Sequence, residues 1–465
     1  MNPFSEKFQY YLDEKGMKVG DVQRYSQLNL TTLYKFLNGT RKPTNVEQVE
    51  KIADSLCLNR TQRDELMESF FLTRLGPIGY YGRKEVKKFY REINLEHVEG
   101  AKPLFPFEEI SLPEGSSLTL TGQQNVNVAI EYFVQKAAKE REGAVIHISE
   151  ILLHDFTLSL VENILKEYPE TQFEHILCLD ETLGNSIQRD GFFYNVRVLR
   201  KVLPLAVYNS KNYSVYYHYS DIPSENEDMS SLSNVIIAGD YVIQYSSNHR
   251  FALVIYDRAV SELYDTMNRE EGEKLHRLVH VQGDADPTRN RETFNLFQPD
   301  GGGNSGYLYY PSVFVPLMYN DPKAEAANKI LNTLISDHPH YLTTKYVIDY
   351  FSNTGMVFPF AQSSGEEKEK RPYVLDIVLK EIKDDEMSIL DIGEQELPPD
   401  LCTVVTMSAL YTGLPDHEGG ILFAACSEPT IAHAFYDFIE DIVKENSMPK
   451  RDAVDYVEKK IAELQ

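Results

Sequence analysis

A chain of 465 residues with 42% hydrophobic and 25% charged residues has the composition of a folded globular protein, and its length predicts about three domains. A net charge of −25 excludes a chain-wide surface for nucleic acid, because phosphate contacts need Lys and Arg. No apolar run approaches the ~18 residues of a membrane span, the start MNPFSEKFQYYLDEKG lacks signal features, and Cys57, Cys178, Cys402 and Cys426 show no CxxC spacing. The expectation is a soluble, cytoplasmic protein without membrane segment, zinc site or disulfide framework.

The charge is unevenly placed. Residues 1–95 hold 16 Lys+Arg and 12 Asp+Glu, a balance of +4, which leaves −29 for the remainder. An acidic C-terminal part serves solubility and repels non-specific DNA, while the N-terminal part stays free to bind it.

Phe4, Phe8, Tyr11 and Leu12 recur at helical spacing, so the first segment is an amphipathic helix ending near Gly16. A second short helix is predicted from Val19 to Tyr25, burying Val22, and Asn29 follows as the N-cap of a third. In that third helix Leu33, Phe36 and Leu37 face inward, whereas Leu30, Thr31, Tyr34, Lys35 and Asn38 face outward. Asn38-Gly39 predicts a left-handed end, and a basic loop, Thr40-Arg41-Lys42-Pro43, comes next. Thr44 to Glu47 reads as a capping box for a fourth helix with Val46, Val49, Ile52, Ala53 and Leu56 as its apolar stripe. A fifth, from about Thr61, buries Leu66, Met67, Phe70 and Phe71.

Five short helices with LNLTTLYKFLNGTRKP at their centre resemble the XRE, or lambda-repressor/Cro-like, helix-turn-helix family over about residues 4–70. The resemblance implies a DNA-binding head. It puts Leu30, Thr31 and Tyr34 where base-edge contacts are made, and Asn38, Arg41 and Lys42 where phosphate contacts are made; Lys35 shares the outward face. Val19 replaces the polar residue that begins the family's second helix, and Gln23 replaces a small one. The bland alternative is that Leu30 and Tyr34 pack on a neighbour and the basic residues are plain solvated surface.

Residues 76–100 read as a connector helix from Arg83 after a Gly/Pro turn. Its Arg83, Lys84, Lys87, Lys88 and Arg91 are candidates for phosphate contacts, and Val86, Phe89 and Tyr90 for a dimer seam or for docking on the next domain. From about 101 the periodicity becomes that of a mixed α/β sheet. Strands are predicted at 116–121, 144–149, 173–179, 206–208, 213–219, 234–238, 241–245 and 251–256, and helices at 124–139, 156–168 and 259–267. RFALVIYDRAVSELYDTM and GILFAACSEPTIAHAFYDFI echo each other as strand, acidic turn and helix, which predicts two related lobes, with Gln362 to Arg371 as a polar loop. Two such lobes resemble phospholipase-D-like sensor domains. That family's HxK signature is absent, so no catalysis is implied.

His147, His154, Asp155, His338 and His340 lack metal-ligand spacing and are read as satisfied or solvated. DGGGNSG (Asp300 to Gly306) lacks the Lys-Ser/Thr of a P-loop and reads as a hairpin or loop. Tyr208, Tyr213, Tyr216, Tyr217, His218 and Tyr219 form an aromatic cluster that covers a sheet or, alternatively, lines a pocket. No GxSxG and no catalytic cysteine context is present.

The expected fold class is therefore α+β: an all-α helix-turn-helix head (1–75), a connector helix (76–100), an α/β sensor lobe (101–325) and a second α/β lobe (326–465). The expected function is sequence-specific regulation of transcription on double-stranded DNA with a pseudo-palindromic operator. The protein would be a homodimer, with a small-molecule or peptide effector and no cofactor. An enzyme of unknown reaction carrying an accessory DNA-binding head is the rival, and an interaction scaffold the third reading.

Overall fold

The computed structural model describes residues 1–93, 110–180, 193–220, 231–272, 274–282, 307–309, 340–355, 369, 371–393, 397, 401–415 and 421–465. The class is α+β, a helical N-terminal part followed by a mixed α/β part. By contacts the chain divides into a unit at Met1–Lys84 and a unit at Glu85–Gln465.

The first unit holds α1 (Pro3–Lys15), α2 (Val19–Ser26), α3 (Leu30–Leu37), α4 (Val46–Ser55) and most of α5 (Arg60–Glu92). Each boundary has a local cause. Asn2 caps α1 through its side-chain oxygen on the Ser5 N–H, Pro3 needs no donor at the first turn, and Gly16 closes the helix at φ 61. The capping box expected at Thr44 is displaced by one residue: Asn45 caps α4 by accepting from the Gln48 N–H (3.1 Å), and Gln48 Oε1 accepts from the Thr44 N–H (3.0 Å). Phe4, Phe8, Tyr11, Leu33, Phe36, Val49, Ile52, Leu66 and Phe70 meet in one buried core, with Met67 and Phe71 packed at its edge.

The connector helix begins just past Gly76-Pro77, earlier than the expected start at Arg83. Residues 60–92 form one long element, interrupted where Gly76 takes φ 74 and ψ 166 and Pro77 follows. The Gly/Pro pair, as expected, breaks the chain direction between two helical stretches. Val86, Phe89 and Tyr90, candidates for a dimer seam, are instead buried in the chain's own α/β core, where Phe89 and Tyr90 contact Phe435 and Tyr90 also stacks on Phe438.

The second unit is built on two sheets. Its elements are β1 (Ser116–Thr121), α6 (Gln123–Glu140), β2 (Val145–Glu150), α7 (Asp155–Glu167), β3 (Gln172–Asp180), α8 (Tyr194–Tyr208), β4 (Tyr213–Ser220), β5 (Asn234–Ala238), β6 (Tyr241–Tyr245), β7 (Phe251–Tyr256), α9 (Arg258–Gly272) and the short β8 (His276–Arg277). There follow β9 (His280–Gln282), β10 (Tyr307–Tyr309), β11 (His340–Thr344), α10 (Lys345–Thr354), α11 (Arg371–Lys383), β12 (Met387–Leu390), β13 (Cys402–Val405), β14 (Leu410–Pro415), β15 (Ile421–Cys426), α12 (Pro429–Asn446) and α13 (Lys450–Leu464). The strand expected at 206–208 is the last turn of α8: Val196, Leu199, Val202, Leu203 and Ala206 are buried at helical spacing.

The first sheet runs β1-β7-β6-β5-β2-β3-β4-β8 and the second β12-β11-β10-β13-β14-β15-β9. Apart from β8, the two are the same design. In the first, β2, β3 and β4 are parallel, β5, β6 and β7 form an antiparallel meander beside β2, and β1 closes the far edge on β7. In the second, β10, β11 and β12 are parallel, β13, β14 and β15 form the meander beside β10, and β9 closes on β15. The repeated stretches seen in the sequence occupy matching places: β7 with α9, and β15 with α12. In each, the acidic residue between strand and helix caps the helix, Asp257 accepting from Ala259 and Val260 N–H and Glu428 from Ile431 N–H. Strands β9 and β10 belong to the second sheet by hydrogen bonding, so that sheet begins before the expected boundary at 325.

Both faces of the second sheet are buried, and its strands alternate between two cores. Val405, Leu410 and Ala424 join the large core shared with the first sheet. Val404, Tyr411 and Ala425 join a separate core with residues of α10, α11 and α13. The glycine-rich stretch 300–306, His338 and most of the polar loop 362–371 lie outside the described residues.

Candidate nucleic-acid interface

The third helix presents a polar face because its ends and inner side are fully committed. Asn29 Oδ1 accepts from the Thr31 N–H (2.9 Å), which starts the helix after a three-residue turn whose first member, Gln27, sits at φ 60. Leu33 and Phe36 are completely buried and fix its rotation. Thr31, Tyr34, Lys35 and Asn38 then fall at spacings of three and four on the exposed side, with Tyr34 48% exposed. Asn38 is the C-cap, and Gly39 carries the left-handed turn at φ 69. The chain doubles back from there: Arg41 N–H and Thr40 Oγ1 both bond to the Lys35 carbonyl, at 3.2 and 3.3 Å. Among the described residues neither Lys35 nor Arg41 forms an ion pair, and both are exposed.

Two of the expected contact residues are placed differently. Leu30 is half-buried and packs on the head's core, since a leucine at the first helical position can fold back over the preceding turn. Lys42 is spent internally: its ammonium donates to the Thr73 carbonyl at 2.7 Å. In a regular helix that carbonyl would accept from residue 77, and Pro77 has no N–H to give. Val19, at the start of α2, is buried rather than turned to the surface. Among the connector cations, Lys84 lies 3.9 Å from Glu68 and Lys88 3.9 Å from Glu92.

Residues that sequence reading missed are those that brace this face. Thr73 Oγ1 accepts from the Phe4 N–H (2.9 Å) and donates to Asn2 Oδ1 (3.4 Å), and Asn2 Nδ2 donates to the Gly39 carbonyl (3.4 Å). Asn2 was readable as a cap before Pro3, but its reach to residue 39 carries no local signal. Tyr25, at the end of α2, is 68% exposed.

The α/β unit has its own polar centre at the carboxyl end of β2. Glu150 is buried and accepts from Thr157 Oγ1 and Tyr245 OH, each at 2.6 Å, and lies 3.3 Å from His175 Nε2. Burial alone would raise its pKa, but the hydrogen bond and charge of His175, with smaller help from His154 and Thr157, hold it below the ordinary value. The ring of His249 packs against His154 and Tyr245, and its Nδ1 is 2.6 Å from Asn127 Oδ1. His147 sits 3.0 Å from Glu174 and 3.7 Å from Asp265. No group of three or more His, Cys, Asp or Glu among the described residues is arranged to hold a metal ion. Cys178 Sγ lies 3.3 Å from His218 Nε2, and burial pushes the thiol up to about 11, which disfavours the thiolate. Tyr213 and Tyr217 of the aromatic cluster are buried, and Tyr219 OH donates to Glu428 (2.7 Å), so these three are engaged within the fold.

No helix among the described residues is long and apolar enough to cross a membrane. No family model matches the chain. No curated protein matches it either. Among the solved structures that match, three are distant likenesses. An archaeal chromatin protein, TrmBL2, whose structure shows a novel mode of DNA binding, is 11% identical with a TM-score of 0.23, covering 56% of this chain and 88% of its own. Phosphatidylserine synthase from Haemophilus influenzae Rd KW20 is 8% identical with a TM-score of 0.23, covering 76% and 94%. Polyphosphate kinase from Porphyromonas gingivalis is 10% identical with a TM-score of 0.21, covering 75% and 56%. Scores of this size establish neither a shared fold nor a shared activity.

Proposed function

We propose that this protein is a sequence-specific, double-stranded-DNA-binding transcriptional regulator that works as a homodimer on a pseudo-palindromic operator. The observation that carries the reading is the face of α3: Thr31, Tyr34, Lys35 and Asn38 stand exposed together, on a helix capped at both ends and followed by the free cation of Arg41. A helix presented this way suits the major groove, where Thr31 and Tyr34 offer hydrogen bonds and apolar contact to base edges while Lys35, Asn38 and Arg41 meet phosphates. The acidic α/β unit serves as sensor and dimerisation region, with a small-molecule or peptide effector. Because Val86, Phe89 and Tyr90 are already buried within one chain, the dimer uses another surface.

Fluorescence anisotropy on DNA fragments, including the chain's own promoter, tests this. Thr31→Ala and Tyr34→Ala should flatten the preference among fragments, whereas Arg41→Ala should weaken all of them and reduce the salt slope by roughly 0.9. Wild-type protein that shows no preference among fragments removes the regulator reading.

A further inference from the structure

The bend in α5 and the loop that follows the recognition helix meet at one residue. Pro77 leaves the Thr73 carbonyl without its helical donor, and Lys42 Nζ fills that place at 2.7 Å from 31 residues away in sequence. The Thr73 hydroxyl reaches the end of α3 by a second path, through Asn2 to the Gly39 carbonyl. Both ends of the segment 39–42 are thus referred to the last turn before the bend. Between them lies Arg41, whose own N–H is held by the Lys35 carbonyl.

We propose that Lys42 is a positioning residue: it makes no phosphate contact itself but anchors the loop to Thr73, so that Arg41 and the end of α3 keep the geometry that meets DNA. This rests on the DNA-binding reading for its consequence, though not for the anchor. Recognition geometry is then set by the bend at Gly76-Pro77, because any change that gives Thr73 a helical donor competes with Lys42. An ammonium on a flexible stem suits the task, since it supplies donors without demanding a planar partner.

The test uses the full chain and two readouts. The first is amide hydrogen exchange at Gly39 to Arg41 without DNA. Lys42→Met should raise exchange there several-fold, Lys42→Arg, which retains a donor, should restore protection, and Gly76→Ala/Pro77→Ala, which gives Thr73 its own N–H partner, should loosen the loop as Lys42→Met does. The second readout is the slope of log affinity against log salt. Lys42→Met should weaken binding while leaving the slope at the wild-type value, unlike Arg41→Ala, which lowers it by roughly 0.9. Unchanged exchange in Lys42→Met, or a slope loss equal to that of Arg41→Ala, overturns the proposal. Should the wild-type protein bind no DNA, the regulator reading falls, and the exchange experiment alone still upholds or overturns the anchor.

Discussion

Gly39 and Gly16 both hold left-handed backbone, at φ 69 and φ 61, but alanine should not cost the same at the two. A Cβ on Gly16 meets nothing within 4 Å, so the penalty is conformational alone, about 1 kcal/mol. At Gly39 it would lie 3.1 Å from Ser5 Oγ and 3.2 Å from Asn2 Nδ2, the two side chains that cap α1. Gly39→Ala should therefore cost about 2–3 kcal/mol, adding the disturbed cap, as read from denaturant midpoints. Equal costs would mean that the Asn2 and Ser5 side chains simply move aside. His249 gives a second residue-level test. Burial, then the neighbouring charge of His154, lowers its pKa from 6.5 to about 4, against a smaller pull from Glu150. A depressed pKa means that the unfolded chain binds the proton more readily, so the contribution is full above about 6.5 and is lost as pH falls toward about 4. The α/β unit should lose on the order of 2–3 kcal/mol across that window, and His249→Gln should flatten the profile. An unaltered profile would assign the acid lability to other groups. Single-residue placements were legible where spacing decides them, as for the exposure of Thr31, Tyr34, Lys35 and Asn38. They were illegible where the partner is remote: nothing near Lys42 announces a carbonyl bared by Pro77.

At the scale of elements, alternation and periodicity located β1 and β5 to β7 to the residue, because each strand sets one face on a core. Periodicity says that a face is buried, not what buries it. Val86, Phe89 and Tyr90 show this, having been equally compatible with a dimer seam and with docking. Their partners, Phe435 and Phe438, lie some 350 positions away on α12, and only the fold brings them together. Phe89 is fully buried, its ring edge-on to Phe435 at 4.9 Å. Phe89→Ala should cost about 3–5 kcal/mol in the unfolding of residues 85–465, while light scattering of the still-folded protein should give an unchanged mass. Conversion of a dimer to monomer by that substitution would return the seam to this helix. Helix α8 was missed for a related reason: Ala206 to Tyr208 is an apolar run too short to tell helix from strand.

The two sheets share strand order and strand sense, yet the sequence betrays this only as one weak echo. Hydrogen-bonding order is a property of backbone pairing that many side-chain patterns satisfy, and the three-residue strands β9 and β10 are too brief to register as periodic. The repeat nevertheless has an energetic consequence. The inner faces of both sheets contribute to one apolar core, which runs from Val86 on α5 to Ile442 on α12. The head has a distinct core, from Phe4 to Phe70, that shares no residue with it. Cooperativity follows shared cores, so the duplicated lobes should melt together and the head should melt by itself. Calorimetry should then show two transitions rather than three. With 84 residues in the first unit and 465 − 84 = 381 in the second, and about 0.7 kcal/mol per residue, their enthalpies should be about 60 and about 270 kcal/mol. The smaller transition should respond to Gly39→Ala and the larger to Phe89→Ala, with little crossover. Splitting of the larger transition into two parts of comparable enthalpy would show that the two sheets are held together less tightly than their common core implies.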